Sequence, residues 1–244
     1  MKIIKLCVLP IVLCVWSCAI DSSSDAHLTS TAPVSNYLLK EGDLNERANV
    51  LNPYDDAGIV YTDLMDLYFS GGAKDAAVAN VIQRFRLLSS AHYGFMSLSE
   101  SPYVFENSNA IDLIGLDPEQ VLSEAITAHF KNRIIGAELK GFLLAHSALC
   151  EVETDYSVLY DSIVSFEHRI MNDVSLDEAD LKILLTTTSI VRYATHHRKK
   201  RPKKNTDPEW DLLIFDMAGA CSGARTSTQE AVALSVISGI VASH

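Results

Sequence analysis

The stretch SLDEADLKILLTTTSIVRYATHH, Ser175–His197, decides the fold class of this chain. Within it, Leu184–Val191 holds three threonines and two β-branched aliphatic residues, a composition that suits a β-strand. Two features favour a helix instead. Ser175 and Glu178 have the spacing of a capping box, and the stretch is longer than an ordinary strand. We therefore predict a helix that begins at Ser175.

Helix start and stop signals recur on both sides of this stretch. Asp55 or Asp56 is placed to cap a helix that stops at Gly71–Gly72. The pairs Asp117–Pro118 and Asp207–Pro208 each put an N-cap residue before a proline at the first helical position. No pair of alternating strands with a hairpin turn is evident. The sequence predicts an all-α protein, with seven to nine helices in a single globular multi-helix domain over residues 37–244.

The last segment of the chain has an unusual stripe of small residues. A second capping box, Ser227 and Glu230, opens the segment. Small residues then recur at every fourth position: Ala231, Ser235, Gly239 and Ser243. Such stripes allow helix backbones to approach closely, either in a soluble core or in a membrane. We favour a central core helix pair, because the apolar part, Ala231–Ala242, is too short to span a bilayer. A membrane-inserting hairpin is the alternative.

The N-terminal residues indicate export and lipid attachment. Lys2 and Lys5 precede or interrupt a short apolar run, as in a secretory signal. The sequence Val15–Cys18, VWSC, resembles a bacterial lipobox, so we predict a lipoprotein signal peptide over 1–17 and lipidation at Cys18. An ordinary signal peptide that is cleaved nearby is the alternative. Residues 18–36 are rich in Ser, Thr and Asp and are predicted to be a flexible tether. Ala19 favours the outer membrane of a bacterial envelope.

A basic tract stands out in a chain of formal net charge -11. In isolation it is typical of a nuclear-localisation or nucleic-acid signal, but an exported protein meets little nucleic acid. We therefore predict an exposed, mobile loop that contacts anionic lipid head groups or the acidic surface of another envelope protein, and no nucleic-acid partner. A solvated linker is the alternative. The residues of the predicted anionic contact are Arg198, Lys199, Lys200, Arg201, Lys203 and Lys204.

Cysteine and histidine positions offer few candidates for chemistry. An oxidising envelope permits a disulfide between Cys150 and Cys221, and two separate buried thiols are the alternative. His146 lies one helical turn before Cys150, a pair that is more often core than catalytic. FEHR, Phe166–Arg169, is expected to be a solvated helix face. No catalytic, cofactor or metal motif is found, so the sequence predicts a non-catalytic protein without a cofactor or metal.

Three stretches together resemble one family. They are NPYDDAGIVYTDLMD at residues 52–66, TTTSIVRYATHH at residues 186–197, and PEWDLLIFDMAGACSGA at residues 208–224. They are similar to motifs of an uncharacterised family of mostly helical exported lipoproteins of Bacteroidetes-type bacteria, and the resemblance covers roughly residues 50–244. After Tyr193 the family pattern has Ser and aromatic residues, whereas this chain has the basic tract. The resemblance implies a helical fold and export, but no activity and no catalytic residues.

Overall fold

The computed structural model describes residues 46–72, 77–99, 103–105, 117–130, 132–200 and 209–243. All of them belong to a compact unit that spans Leu39–His244. Within the described residues the secondary structure consists of helices, without strands, so the predicted all-α class is confirmed. In chain order the helices are α1 (Asp56–Ser70), α2 (Val78–Ala91), α3 (Tyr93–Ser97), α4 (Pro118–His129), α5 (Arg133–Val152), α6 (Tyr156–Met171), α7 (Glu178–Lys200), α8 (Glu209–Ala224) and α9 (Thr228–Ala242).

Helix α9 forms the centre of the core, with 13 of its 15 residues buried. It packs most extensively along α8, and the small residues explain how close the two helices come. A Cβ atom at Gly219 would lie only 2.6 Å from the carbonyl carbon and oxygen of Leu234. A Cβ at Gly239 would overlap the Asp216 carboxylate. The predicted core helix pair is thereby confirmed. None of the helices in the described residues has the length and apolarity needed to cross a membrane.

Helix α7 contains the stretch that was ambiguous in sequence, and it is helical throughout. Every residue of Leu184–Val191 is buried, including the threonines. The predicted cap of this helix, Ser175, was wrong by two residues. Asp177 provides the cap, since its Oδ1 accepts a hydrogen bond of 2.7 Å from the backbone N–H of Asp180. The hydroxyl of Ser175 instead donates to Asp173 in the preceding turn.

Most of the other predicted helix ends are confirmed. Asp117 accepts hydrogen bonds from two backbone N–H groups at the start of α4, with Pro118 at the first position. Ser227 caps α9 through the N–H of Glu230, and α1 stops at Gly71. Asp55 occupies the N-cap position of α1, but its side chain makes no cap hydrogen bond and serves a different purpose. Asp207–Pro208 lies outside the described residues.

Candidate functional site: a buried charge network around Arg192

Arg192 is a fully buried arginine near the middle of the protein. The path of α7 through the core places its guanidinium against α6 and against the residues that precede α1. Its Nε donates a 2.6 Å hydrogen bond to the backbone carbonyl of Arg47. One terminal nitrogen pairs with the Glu167 carboxylate and the other with the Asp55 carboxylate. The three nitrogen atoms of this guanidinium therefore all have partners, as a buried cation requires.

Glu167 is the second buried charge and joins three parts of the chain. Besides Arg192 on α7, it accepts hydrogen bonds from two side-chain amides that precede α1. Asn49 Nδ2 lies 2.6 Å from Glu167 Oε2, and Asn52 Nδ2 lies 2.9 Å from Glu167 Oε1. The Asn52 amide also donates to the carbonyl of Leu185 at 3.0 Å. Because Glu167 is 0% exposed, these donors replace the water that its carboxylate loses on folding.

Three tyrosines surround the network, and each donates a hydrogen bond from its hydroxyl. The Tyr193 hydroxyl donates to Asp55 Oδ2 at 3.1 Å, and its ring lies 5.2 Å from the guanidinium carbon of Arg47. Tyr156 and Tyr160 donate to backbone carbonyls at 3.2 and 2.8 Å, respectively. Burial raises the pKa of the Tyr193 and Tyr156 hydroxyls, so both stay protonated and act as donors.

The network contains charges of both signs, and Arg192 is paired with both of its carboxylates. Two arginines, Arg47 and Arg192, lie among two carboxylates, Asp55 and Glu167. Burial raises the pKa of the Asp55 carboxyl, while the nearby Arg192 guanidinium opposes that rise. Buried ion networks of this kind contribute little net stability, but removing one member leaves an uncompensated charge. The arrangement therefore joins α6, α7 and the residues before α1, with Arg192 and Glu167 both 0% exposed.

Arg198 belongs to a second buried ion pair, and this corrects one prediction. Its Nε and a terminal nitrogen lie 3.0 and 2.6 Å from Asp216 Oδ2. Arg198 is 5% exposed and Asp216 is 0% exposed. Arg198 is thus part of α7 and faces the core, because Asp216 provides a buried partner. It is not in an exposed loop and is not available to an anionic surface.

The rest of the predicted anionic contact and the predicted lipid site are only partly described. Lys199 and Lys200 are helical, so the loop predicted to begin at Arg198 does not begin there. Arg201, Lys203 and Lys204 lie outside the described residues, as does Cys18.

Cys150 and Cys221 are both buried and are not joined in a disulfide, so the predicted alternative of separate thiols applies. Burial raises the pKa of Cys221 to about 12, which keeps it an unreactive thiol. Cys150 Sγ lies 3.5 Å from His146 Nε2, and the Thr195 hydroxyl lies 3.0 Å from the same nitrogen. Burial lowers the pKa of His146 to about 4. This group is closed to solvent and resembles a packed core more than a nucleophile.

A groove of about 360 Å³ lies beside α2 and α3. Its walls are mainly apolar and aromatic, with a volume near the lower end of the range for small-ligand pockets. Besides its apolar and aromatic side chains, the described lining includes the serine hydroxyls and the Arg86 guanidinium. The lining residues are Arg86, Ser89, Ser90, Phe95, Met96, Tyr103, Val104 and Phe105.

The predicted exposure of Glu167 is wrong. We expected FEHR to be a solvated face, and His168 and Arg169 are indeed exposed, but Glu167 is buried. One local signal pointed to its burial. Glu167 follows Phe166 and lies four residues after Ile163 and three before Ile170, on the apolar side of α6. Within the described residues, no group of three or more His, Cys, Asp or Glu side chains could hold a metal ion.

A scan against protein-family models finds no match, and the curated proteins and the solved structures yield none either. The resemblance to exported helical proteins stays a prediction.

Proposed function

We propose that this chain is a lipid-anchored protein of a bacterial envelope, in the outer membrane, that acts as a non-catalytic interaction or structural module. The observation that carries the anchoring is the sequence Val15–Cys18, which has a small residue directly before the cysteine. The polar residues 18–36 that follow provide a tether to the helical body. Two or three acyl chains on one cysteine supply enough apolar area for stable anchoring.

The buried charges support the non-catalytic part of the proposal. The two central charges of the candidate site, Arg192 and Glu167, are both 0% exposed. Their hydrogen bonds join α6, α7 and the residues before α1. Buried and paired in this way, these charges suit a module that presents its outer surfaces to a partner, rather than a site that must admit a substrate.

The alternative function is a membrane-active, bacteriocin-like protein that uses α8 and α9. Insertion would require α9 to leave the core, where 13 of its 15 residues are buried. It would also separate the paired Arg198 and Asp216. Leakage of a trapped dye from anionic vesicles tests this alternative, since an interaction module should cause none.

Acyl labelling in a bacterial host tests the anchoring. Cys18→Ser should abolish incorporation of a fatty-acid analogue and release the protein from membranes, because the thiol that carries the lipid is gone. Cys14→Ser is the matched control and should change neither, since Leu13 makes Cys14 a poor lipidation site. Unchanged labelling and membrane retention in Cys18→Ser would contradict the proposal.

A further inference from the structure

Residues 46–54, which we term the strap, cover the Arg192 network and are attached in an unusual way. The buried side chains of the strap are polar: Arg47, Asn49 and Asn52 are 3–5% exposed. Its aliphatic side chains point outward, with Val50 91% and Leu51 58% exposed. Among the hydrophobic residues of the strap, Tyr54 packs against the apolar core and is partly buried. Apolar burial therefore contributes little to holding the strap down.

The two asparagines perform the same two tasks. Asn49 Oδ1 accepts from the N–H of Leu51 at 3.2 Å, and Asn52 Oδ1 accepts from the N–H of Tyr54 at 2.9 Å. Their Nδ2 groups both donate to Glu167. The oxygen atoms thus shape the strap by turns of its own, while the nitrogen atoms fasten it to the helical body.

We infer that the strap opens as a unit while the helices stay folded, and that Glu167 and Arg192 are the latch that holds it. Opening breaks the polar contacts of the strap and exposes the Glu167 carboxylate and the Arg192 guanidinium to water. Their hydration offsets much of the free energy lost with the broken hydrogen bonds. Helices α8 and α9 keep their apolar contacts, so the open state costs far less than unfolding. Segments with few buried apolar contacts open most readily in other proteins.

The position of the strap gives the opening a role in the proposed anchored protein. The strap follows residues 1–45 directly in the chain, so a load applied through an N-terminal anchor reaches it before the helices. This role rests on the proposed function, whereas the separate opening of the strap does not. The experiment below uses no membrane, so its failure is distinguishable from a failure of the anchoring proposal.

Hydrogen exchange of the full chain tests the inference, with the N–H groups of Asn49, Leu51, Asn52 and Tyr54 as reporters of the strap. The Asn49 N–H reports detachment most directly, because it donates to Asp55 Oδ1, outside the strap, at 3.3 Å. In the wild-type protein these should exchange at least about a hundredfold faster than amides in α9, with a weaker dependence on denaturant. Equal rates in the strap and α9, at all denaturant concentrations, would overturn the inference.

Two variants separate opening of the strap from global unfolding. Glu167→Gln removes the charge that both asparagines bind and should speed strap exchange by about tenfold. Glu138→Gln is its matched control, because Glu138 forms an exposed pair with Arg169 between α5 and α6. It should leave strap exchange at the wild-type rate.

Gly239→Ala provides the reverse test, because it disturbs the α8–α9 contact and leaves the strap contacts intact. It should accelerate exchange in α9 and leave the strap at its wild-type rate. Acceleration of both by the same factor would show that the strap opens only when the whole protein unfolds. If Glu167→Gln fails to fold, the wild-type and Gly239→Ala comparison decides the question.

Discussion

At the residue scale, several charged side chains have partners that the local sequence does not reveal. Asp55 has the sequence setting of an N-cap, yet its carboxylate pairs with Arg192 and accepts a hydrogen bond from Tyr193. Arg198 has the setting of a basic surface tract, yet it pairs with buried Asp216. In both cases the charge is paired with a side chain that is not a sequence neighbour, across 137 residues for Asp55 and 18 for Arg198.

His146 predicts how stability depends on pH. Burial lowers its pKa to about 4 in the folded protein, against about 6.5 for an unperturbed histidine. The unfolded chain therefore binds a proton first as the pH falls through 6.5, which favours unfolding. Lowering the pH from 7 to 4 should therefore reduce the free energy of unfolding by about 3 kcal/mol through this residue alone.

Urea titrations at pH 7 and pH 4.5 check this prediction. The reference is His146→Phe, which cannot titrate and keeps a ring stacked on Phe142. Wild type should lose about 2–3 kcal/mol more than this variant over that interval. An equal loss in the two proteins would show that His146 is protonated as readily in the folded state as in the unfolded chain.

At the element scale, the α8–α9 pair depends on glycine for its close contact. Nothing larger than hydrogen fits at Gly239, because a Cβ would overlap Asp216 Oδ1, whose carboxylate holds Arg198. Gly223 is similar, since a Cβ there would overlap the backbone of Glu230 and Ala231. The stripe of small residues is therefore a condition for burying both an ion pair and an apolar helix in one core.

Gly239→Ala should destabilise the protein by about 1–3 kcal/mol, because overpacking forces α9 away from α8. Thermal unfolding measures the effect. Gly141→Ala is the matched control, since a Cβ at this exposed site in α5 meets no atom within 4 Å. It should stabilise by about 0.5–1 kcal/mol through helix propensity. Equal melting temperatures for Gly239→Ala and wild type would show that the contact is looser than described.

At the scale of the whole molecule, the position of Arg198 changes the test of the proposed anionic contact. Arg198 must be kept, because its removal would leave Asp216 buried without its charge partner. The variant therefore replaces the other five tract residues with Ser, in a Cys18→Ser background that removes lipid anchoring. The five residues are Lys199, Lys200, Arg201, Lys203 and Lys204.

Co-sedimentation with phosphatidylglycerol vesicles should show salt-sensitive binding for Cys18→Ser alone and its loss when the tract is replaced. Each basic residue near an anionic membrane contributes at most about 1 kcal/mol, so the five act together. Phosphatidylcholine vesicles are the neutral control and should bind neither protein. Equal binding to anionic vesicles with and without the tract would leave the tract as a solvated linker.

The sequence by itself determined that the chain is all-α and where most helices begin and end. These features follow from interactions between residues a few positions apart: apolar spacing, Asp117 and Ser227 as caps, and Gly71 as a stop. The small-residue stripe also predicted a tight helix contact. The error at Ser175 is of the same local kind, since Asp177 offered a competing cap two residues later.

Only the tertiary structure decided which charges are buried and what they hold together. Arg192 meets Glu167 across 25 residues of chain and Asp55 across 137. No local pattern specifies such a pairing. The free-energy cost of removing a charge from water is offset by a partner, and which partner is available depends on which segments pack together. The strap, the Arg198–Asp216 pair and the two separate thiols all follow from that packing.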